Sequence, residues 1–241
     1  MTTLEGAVVL VTGGQRGIGK AIVDDLLTRG AAKVYATARS PRPSTDPRVV
    51  PLPLEVTDQA SIDALAAAAP DVTVLINNAG ALPETASLLT ATAADIRATM
   101  ETNFFGPVFV ARAFAPILAA AGQGSVLVDV HSVASWYAMG GIYSASKAAL
   151  WSATNSLRVE LAAADVHVIG VHMGYVDTGM AAHVEGPKML PEELVAQVYD
   201  GVEAGAYEIV ADGISAHAKA ALSGPVEALY PELHAPKVET R

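Results

Sequence analysis

The chain contains no cysteine. That absence excludes a disulfide framework, a thiolate metal site and a cysteine nucleophile, and it suits a cytoplasmic protein. A run of Lys or Arg is also missing: 15 basic residues against 25 acidic ones leave a formal net charge of -10. A nucleic-acid surface needs at least a basic face, so no nucleic-acid partner is expected. Long apolar runs are absent as well, since no window approaches the roughly 18 uninterrupted apolar residues of a membrane span. The first residues, MTTLEGAVVLVTGG, lack both a basic start and a small-residue cleavage pattern, and no export signal or membrane association is expected. The remaining candidate partners are small molecules and further copies of the same chain; no metal site is expected.

What is present is ample apolar content, 51% over 241 residues, enough for a sizeable core. Apolar, β-rich runs recur at Ala7 to Thr12, Lys33 to Ala38, Val49 to Leu54, Val72 to Ile76, Ser125 to Val130, Val166 to Val171 and Tyr207 to Val210. Between them, helical spacing predicts helices over Lys20 to Thr28, Thr57 to Ala69, Ala93 to Ala121, Ile142 to Ala164 and Glu192 to Ala204. Gly106-Pro107 predicts a kink in the third of these, and Pro51 and Pro53 place their strand near a sheet edge. Strands alternating with helices imply βαβ units and a right-handed, doubly wound parallel sheet. With no linker and no internal repeat, residues 1–241 read as a single dinucleotide-binding domain of α/β class, with a substrate loop at about 174–191. The tail after Gly224 is expected on the surface.

Three motifs carry chemistry. In Thr12-Gly-Gly-Gln-Arg-Gly-Ile-Gly19, a glycine turn follows a strand and opens a helix, so Gly13, Gln15, Arg16, Gly17, Ile18 and Gly19 are candidate cofactor contacts. Small residues let the backbone approach a pyrophosphate, and the helix N-terminus offers free N–H groups. A Walker phosphate loop is excluded, because no Lys-Ser/Thr follows the last glycine. Asn77-Asn78-Ala79-Gly80 ends the fourth strand. Tyr143-Ser-Ala-Ser-Lys147 sets a phenol and an ammonium one helical turn apart, and a charge there is expected to lower the phenol pKa and suit it to acid/base work on a carbonyl or alcohol.

In this order the three motifs resemble the classical short-chain dehydrogenase/reductase family, over about Ala7 to Val210. The resemblance implies a single Rossmann domain with a seven-stranded parallel sheet. It also implies roles: Asn77, Ala79 and Gly80 stabilise the central strand and contact the adenosine ribose; Asn103 helps to hold a relay water; Ser132 hydrogen-bonds the substrate oxygen; Glu55 and Val56 lie by the adenine; Val176 and Thr178 meet the carboxamide. Tyr143 would donate the proton, and Lys147 would also hold the nicotinamide ribose. Three departures stand out. Ser132 precedes Tyr143 by fewer residues than the family more often shows, leaving Ser135 as a fallback. Glu55 replaces an aspartate, and Met173 replaces a proline, which predicts a less rigid loop.

No acid stands at the end of the second strand, where Arg39 and Ser40 follow Ala38. A guanidinium there, with Arg16, suits the 2'-phosphate of NADP(H) rather than the 2'-hydroxyl of NAD(H). The expectation is an NADP(H)-dependent carbonyl reductase, cytoplasmic and homo-oligomeric. A cofactor-binding regulator or scaffold on the same fold is the alternative, and an isomerase or lyase using the same Tyr/Lys pair is a third reading. Trp136, Tyr137 and Met139 are candidates for a pocket floor. Met180, His183, Val184 and Met189 in the 174–191 loop predict an apolar, fairly open pocket beside it.

Overall fold

A computed structural model describes residues 3–234; the expected range of 1–241 and the surface tail extend beyond it. Seven strands form one parallel sheet: β1 (Val8–Val11), β2 (Lys33–Ala38), β3 (Val49–Pro53), β4 (Val74–Asn77), β5 (Val126–Val130), β6 (His167–His172) and β7 (Glu208–Val210), in the order β3-β2-β1-β4-β5-β6-β7. The strand carrying Pro51 and Pro53 lies at one edge, where a missing N–H costs no ladder bond.

The sheet is buried on both faces, and its alternation sorts side chains between two cores. Val9, Val11, Val74, Ile76, Val126 and Val128 face α1 (Gly17–Thr28) and α6 (Pro191–Glu203). Leu10, Leu75 and Leu127 face α2 (Gln59–Ala68), α4 (Gly106–Ala121) and α5 (Ile142–Leu161). Each such residue contributes about 1.5–3 kcal/mol by leaving water. Asp58 caps α2 through the Ala60 N–H, and Pro191 opens α6 at a position that needs no donor. Beyond β7, α7 (Gly213–Ala221) is capped by Asp212.

The long apolar helix is not continuous. After α3 (Ala93–Met100), capped by Thr92, the chain takes one π-helical turn over Glu101–Phe105 before α4 begins. The break therefore lies just ahead of Gly106-Pro107. Gly106 packs closely there: a Cβ on it would stand 3.0 Å from Val56. By length and composition the stretch Ala93–Ala121 could cross a membrane, with mean hydropathy 1.7; here Val110, Phe114 and Leu118 pack on the sheet.

β1 and β4 are neighbours, although β2 and β3 intervene in the chain, so connections diverge from this point to either side. Such a switch point opens a crevice at the carboxyl ends of the strands. α5 enters from Gly141, whose φ of 51° is left-handed and whose Cβ would lie 1.4 Å from the Ala86 carbonyl oxygen. Only glycine lets the loop after β4 cross the start of the helix that carries Tyr143. A Gly141→Ala variant should lose about 2 kcal/mol or more of unfolding free energy, measured by urea denaturation; unchanged stability would show that the two segments do not meet this closely.

Candidate active site

The glycine turn is built by close approach. A Cβ on Gly19 would fall 2.3 Å from the Gly13 carbonyl oxygen and 2.5 Å from Asn78 Nδ2. Thr12 and Asn78 tie the turn to the end of β4: Asn78 and Ala79 donate their N–H groups to Thr12 Oγ1 at 2.9 Å each, and Asn78 Nδ2 donates to the Thr12 carbonyl at 2.9 Å. α1 then starts with no side-chain cap at Arg16, so its first N–H groups stay available. Thr178 reaches over this end, its methyl 3.6 Å from where a Gly17 Cβ would be.

Arg16, within that turn, and Arg39, just after β2, are exposed. Arg42, which no motif marks, is bound to the turn: Gln15 exchanges two side-chain hydrogen bonds with the Arg42 backbone at 2.8 Å, and Arg42 Nη2 donates to the Gln15 carbonyl at 3.3 Å. Ser40 is exposed beside Arg39, and Ile18 is half-buried in α1.

Asn77 ties the central strand to its neighbours, the stabilising part of the role that the resemblance implies. It is buried, and its Nδ2 donates to the Pro107 carbonyl at 3.1 Å and to Asp129 Oδ1 at 3.0 Å. Successive strand residues face opposite ways, so Asn78 reaches the turn while Asn77 points into the interior. Glu55 is likewise engaged locally, accepting from the N–H and hydroxyl of Thr57 at 3.3 and 3.0 Å. Val56 is buried against Gly106.

At the other side of the crevice, Ser132 and Tyr143 meet. The Ser132 hydroxyl lies near enough to the Tyr143 phenol to act on its pKa, so the shortened connection still brings the two together, while the hydroxyl of the fallback Ser135 is buried without a hydrogen-bond partner. Ser132 is fixed from below. His172, the last residue of β6, places Nδ1 3.4 Å from the Ser132 carbonyl oxygen and stacks on Trp136 at 3.8 Å between centroids. His131 stacks on the other side of His172 at 4.7 Å, with Nε2 3.1 Å from Thr154 Oγ1. Burial keeps both imidazoles neutral, His131 well below its ordinary value and His172 down to about 4.

Lys147 behaves differently from the expectation. Its Nζ donates to the Val130 carbonyl at 2.8 Å and lies 6.0 Å from the centre of the Tyr143 ring. It is not lowering the phenol. Burial pushes the Tyr143 phenol above its ordinary value, the Ser132 hydroxyl opposes this, and Tyr175 adds to the rise. Burial also brings Lys147 down to about 8, against the charge of Asp129. Asp129 is itself raised by burial and held by Thr154 Oγ1 at 2.6 Å and by Asn77.

Asn103 sits in the π-helical turn, fully buried. Its Oδ1 accepts from the Ala81 N–H and its Nδ2 donates to the Ala81 carbonyl, both at 2.9 Å, with Ser146 Oγ at 3.2 Å. A Cβ on Gly80 would lie 3.3 Å from Asn103 Oδ1 and 3.9 Å from Lys147 Nζ, so glycine lets these groups share one wall. The Met173 loop is held by several contacts. Val133 N–H donates to the Met173 carbonyl at 2.7 Å, Gly174 N–H to Asp212 Oδ2 at 2.5 Å, and Val176 bridges to Met189.

The family model for the short chain dehydrogenases matches residues 7–188. The chain belongs to the short-chain dehydrogenase/reductase family. Among solved structures it is similar to a short-chain dehydrogenase from Burkholderia cenocepacia J2315 in complex with NADP, at 37% identity and a TM-score of 0.89, covering 97% of this chain and 100% of that one. It is 32% identical to a sorbitol dehydrogenase of Cereibacter sphaeroides, over 72% of each chain. It is 31% identical to an NADP-dependent 3-hydroxy acid dehydrogenase of Schizosaccharomyces pombe, over 74% of each. Family membership makes this an oxidoreductase with a nucleotide cofactor, and the uncapped start of α1, the glycine cradle and the Arg42 guanidinium bound to it fit one.

The placement of Lys147 gives a direct test. An NMR titration of its side chain should show a midpoint near 8, and Asp129→Asn should move that midpoint down, because a charge that favours the ammonium is gone. An ordinary lysine midpoint, or an upward move in the variant, would contradict the arrangement.

Proposed function

We propose that this protein is an NADP(H)-dependent reductase that converts a ketone or aldehyde to an alcohol. The observation that carries the reading is the nearness of Ser132 to Tyr143 on a fold whose first strand ends in a glycine cradle bound by Arg42. When bound, NADPH supplies the hydride. Ser132 binds the carbonyl oxygen and orients it, and Tyr143, kept protonated by burial, gives that oxygen its proton. Hydride on carbon and proton on oxygen balance the reduction. Lys147 holds a positive charge beside the crevice and binds the cofactor ribose, while Asn103 fixes Ala81 and Ser146 around it.

Arg39 and Arg42 support a 2'-phosphate, because a planar cation pairs with phosphate in a way a strand-end carboxylate would oppose. The NADP named for the Burkholderia cenocepacia relative agrees with that choice. The names of the sorbitol and 3-hydroxy acid relatives differ, so no substrate is carried over from either. We further infer that residues 1–241 act as one dinucleotide-binding unit in the cytoplasm. Self-association through the apolar Ala93–Ala121 stretch is part of this reading, since only 33% of its most apolar window is buried within the chain.

The test is NADPH oxidation against a panel of aldehydes, ketones and quinones. Wild-type protein should turn over at least one class, and Tyr143→Phe should lose roughly 10²–10⁴-fold in kcat. Arg39→Asp should weaken NADPH binding by about 10-fold or more, the effect of losing a charge-assisted hydrogen bond. Silence of the wild type across the panel, or full turnover by Tyr143→Phe, would overturn the reading.

A further inference from the structure

Trp136, Tyr137 and Met139, the candidates for a pocket floor, do line a pocket. A cavity of about 660 Å³ abuts the segment that joins Ser132 to Tyr143. Its walls come from three distant parts of the chain: Leu88 after β4, Trp136, Tyr137 and Met139 in the joining segment, and Tyr230 beyond α7. Among the described residues, no charged side chain lines it.

Tyr230 holds this wall in two ways. Its ring stacks on Tyr137, with centroids 5.4 Å apart and planes 13° from parallel, and its hydroxyl accepts the Ala138 N–H at 3.0 Å. The clamped stretch is bound in turn to α5: Gly140 N–H donates to Ser144 Oγ at 2.9 Å, and Ser144 Oγ donates to the Tyr137 carbonyl at 3.2 Å. Ser144 adjoins Tyr143. Tyr230 is thus linked by contacts to the residue beside Tyr143. Tyr230 lies outside the span matched by the family model.

We infer that Tyr230 is a positioning and specificity residue, closing a cavity that takes the aromatic part of a neutral carbonyl compound remote from its reacting carbon. The inference rests on the proposed reductase reading and adds a substrate class to it. Flat rings stack favourably between Tyr, Trp and Met side chains. A carboxylate among uncharged walls would lose its hydration without a partner. Contacts made far from the reacting carbon orient it for the chemical step.

The test compares 2-acetylnaphthalene, its 6-carboxylate and 2-heptanone, by calorimetric binding to NADP⁺-loaded protein and by NADPH oxidation, in wild type, Tyr230→Phe and Tyr230→Ala. Tyr230→Ala should raise Kd and KM for 2-acetylnaphthalene about 10-fold, from the lost aromatic wall, with 2-heptanone little affected. Tyr230→Phe, which keeps the stack, should restore most of that binding, and the carboxylate should bind worst to the wild type. Equal losses for both ketones accompanied by a lowered Tm, or no loss for either, would overturn the inference. If carbonyls turn over and Tyr230 is silent, the inference fails while the reductase reading stands. Binding that depends on Tyr230 without any turnover supports the cavity and removes the reductase reading.

Discussion

The hydrogen bond from Lys147 Nζ to the Val130 carbonyl joins the two elements from which the site is made. α5 carries Tyr143 and Lys147, while β5 runs directly into Ser132. A buried ammonium is costly unless its donors are satisfied, and here one donor is fixed on the last residue of β5. Asp129, one residue earlier, offsets part of the remaining cost through its charge. That carboxyl is in turn held by Thr154 and by Asn77, and Asn77 also binds the Pro107 carbonyl at the start of α4. One buried network thus sets the spacing of β4, β5, α4 and α5, and with it the positions of Asn103, Ser132, Tyr143 and Lys147.

The strand count, the edge position of β3 and the parallel order follow from apolar runs and prolines that any reading of the chain meets. Side-chain direction does not follow in the same way. Spacing places Tyr143 and Lys147 on one helix face, yet the long lysine side chain turns to a backbone carbonyl, and burial governs the phenol. The pair Asn77-Asn78 is equally instructive. Two identical residues in sequence have opposite orientations in a strand, so the first enters the interior and the second ties the glycine turn. The only signal that could have separated them is the parity of β4, whose Val74 and Ile76 share a face distinct from that of Leu75.

Other parts are set by contacts between distant residues. The π-helical turn around Asn103 and the closeness of Gly106 to Val56 are recorded by no local propensity. His172 and Trp136 stack beneath Ser132, although 36 residues separate them; this support lets a short connection deliver the serine. Met173 lacks the rigidity of proline, and hydrogen bonds to Val133 and Asp212 hold its loop. Arg42 is recognisable as a cation of the glycine turn only once Gln15 is seen to bind its backbone.

Reduction requires that Ser132 and Tyr143 present a carbonyl to a reduced nicotinamide. Deuterium placed at C4 of NADPH, on the transferred face, reports on that directly. The label should appear at the carbon bearing the hydroxyl in the alcohol product, with a primary isotope effect on single-turnover reduction. An alcohol product formed without the label would contradict it.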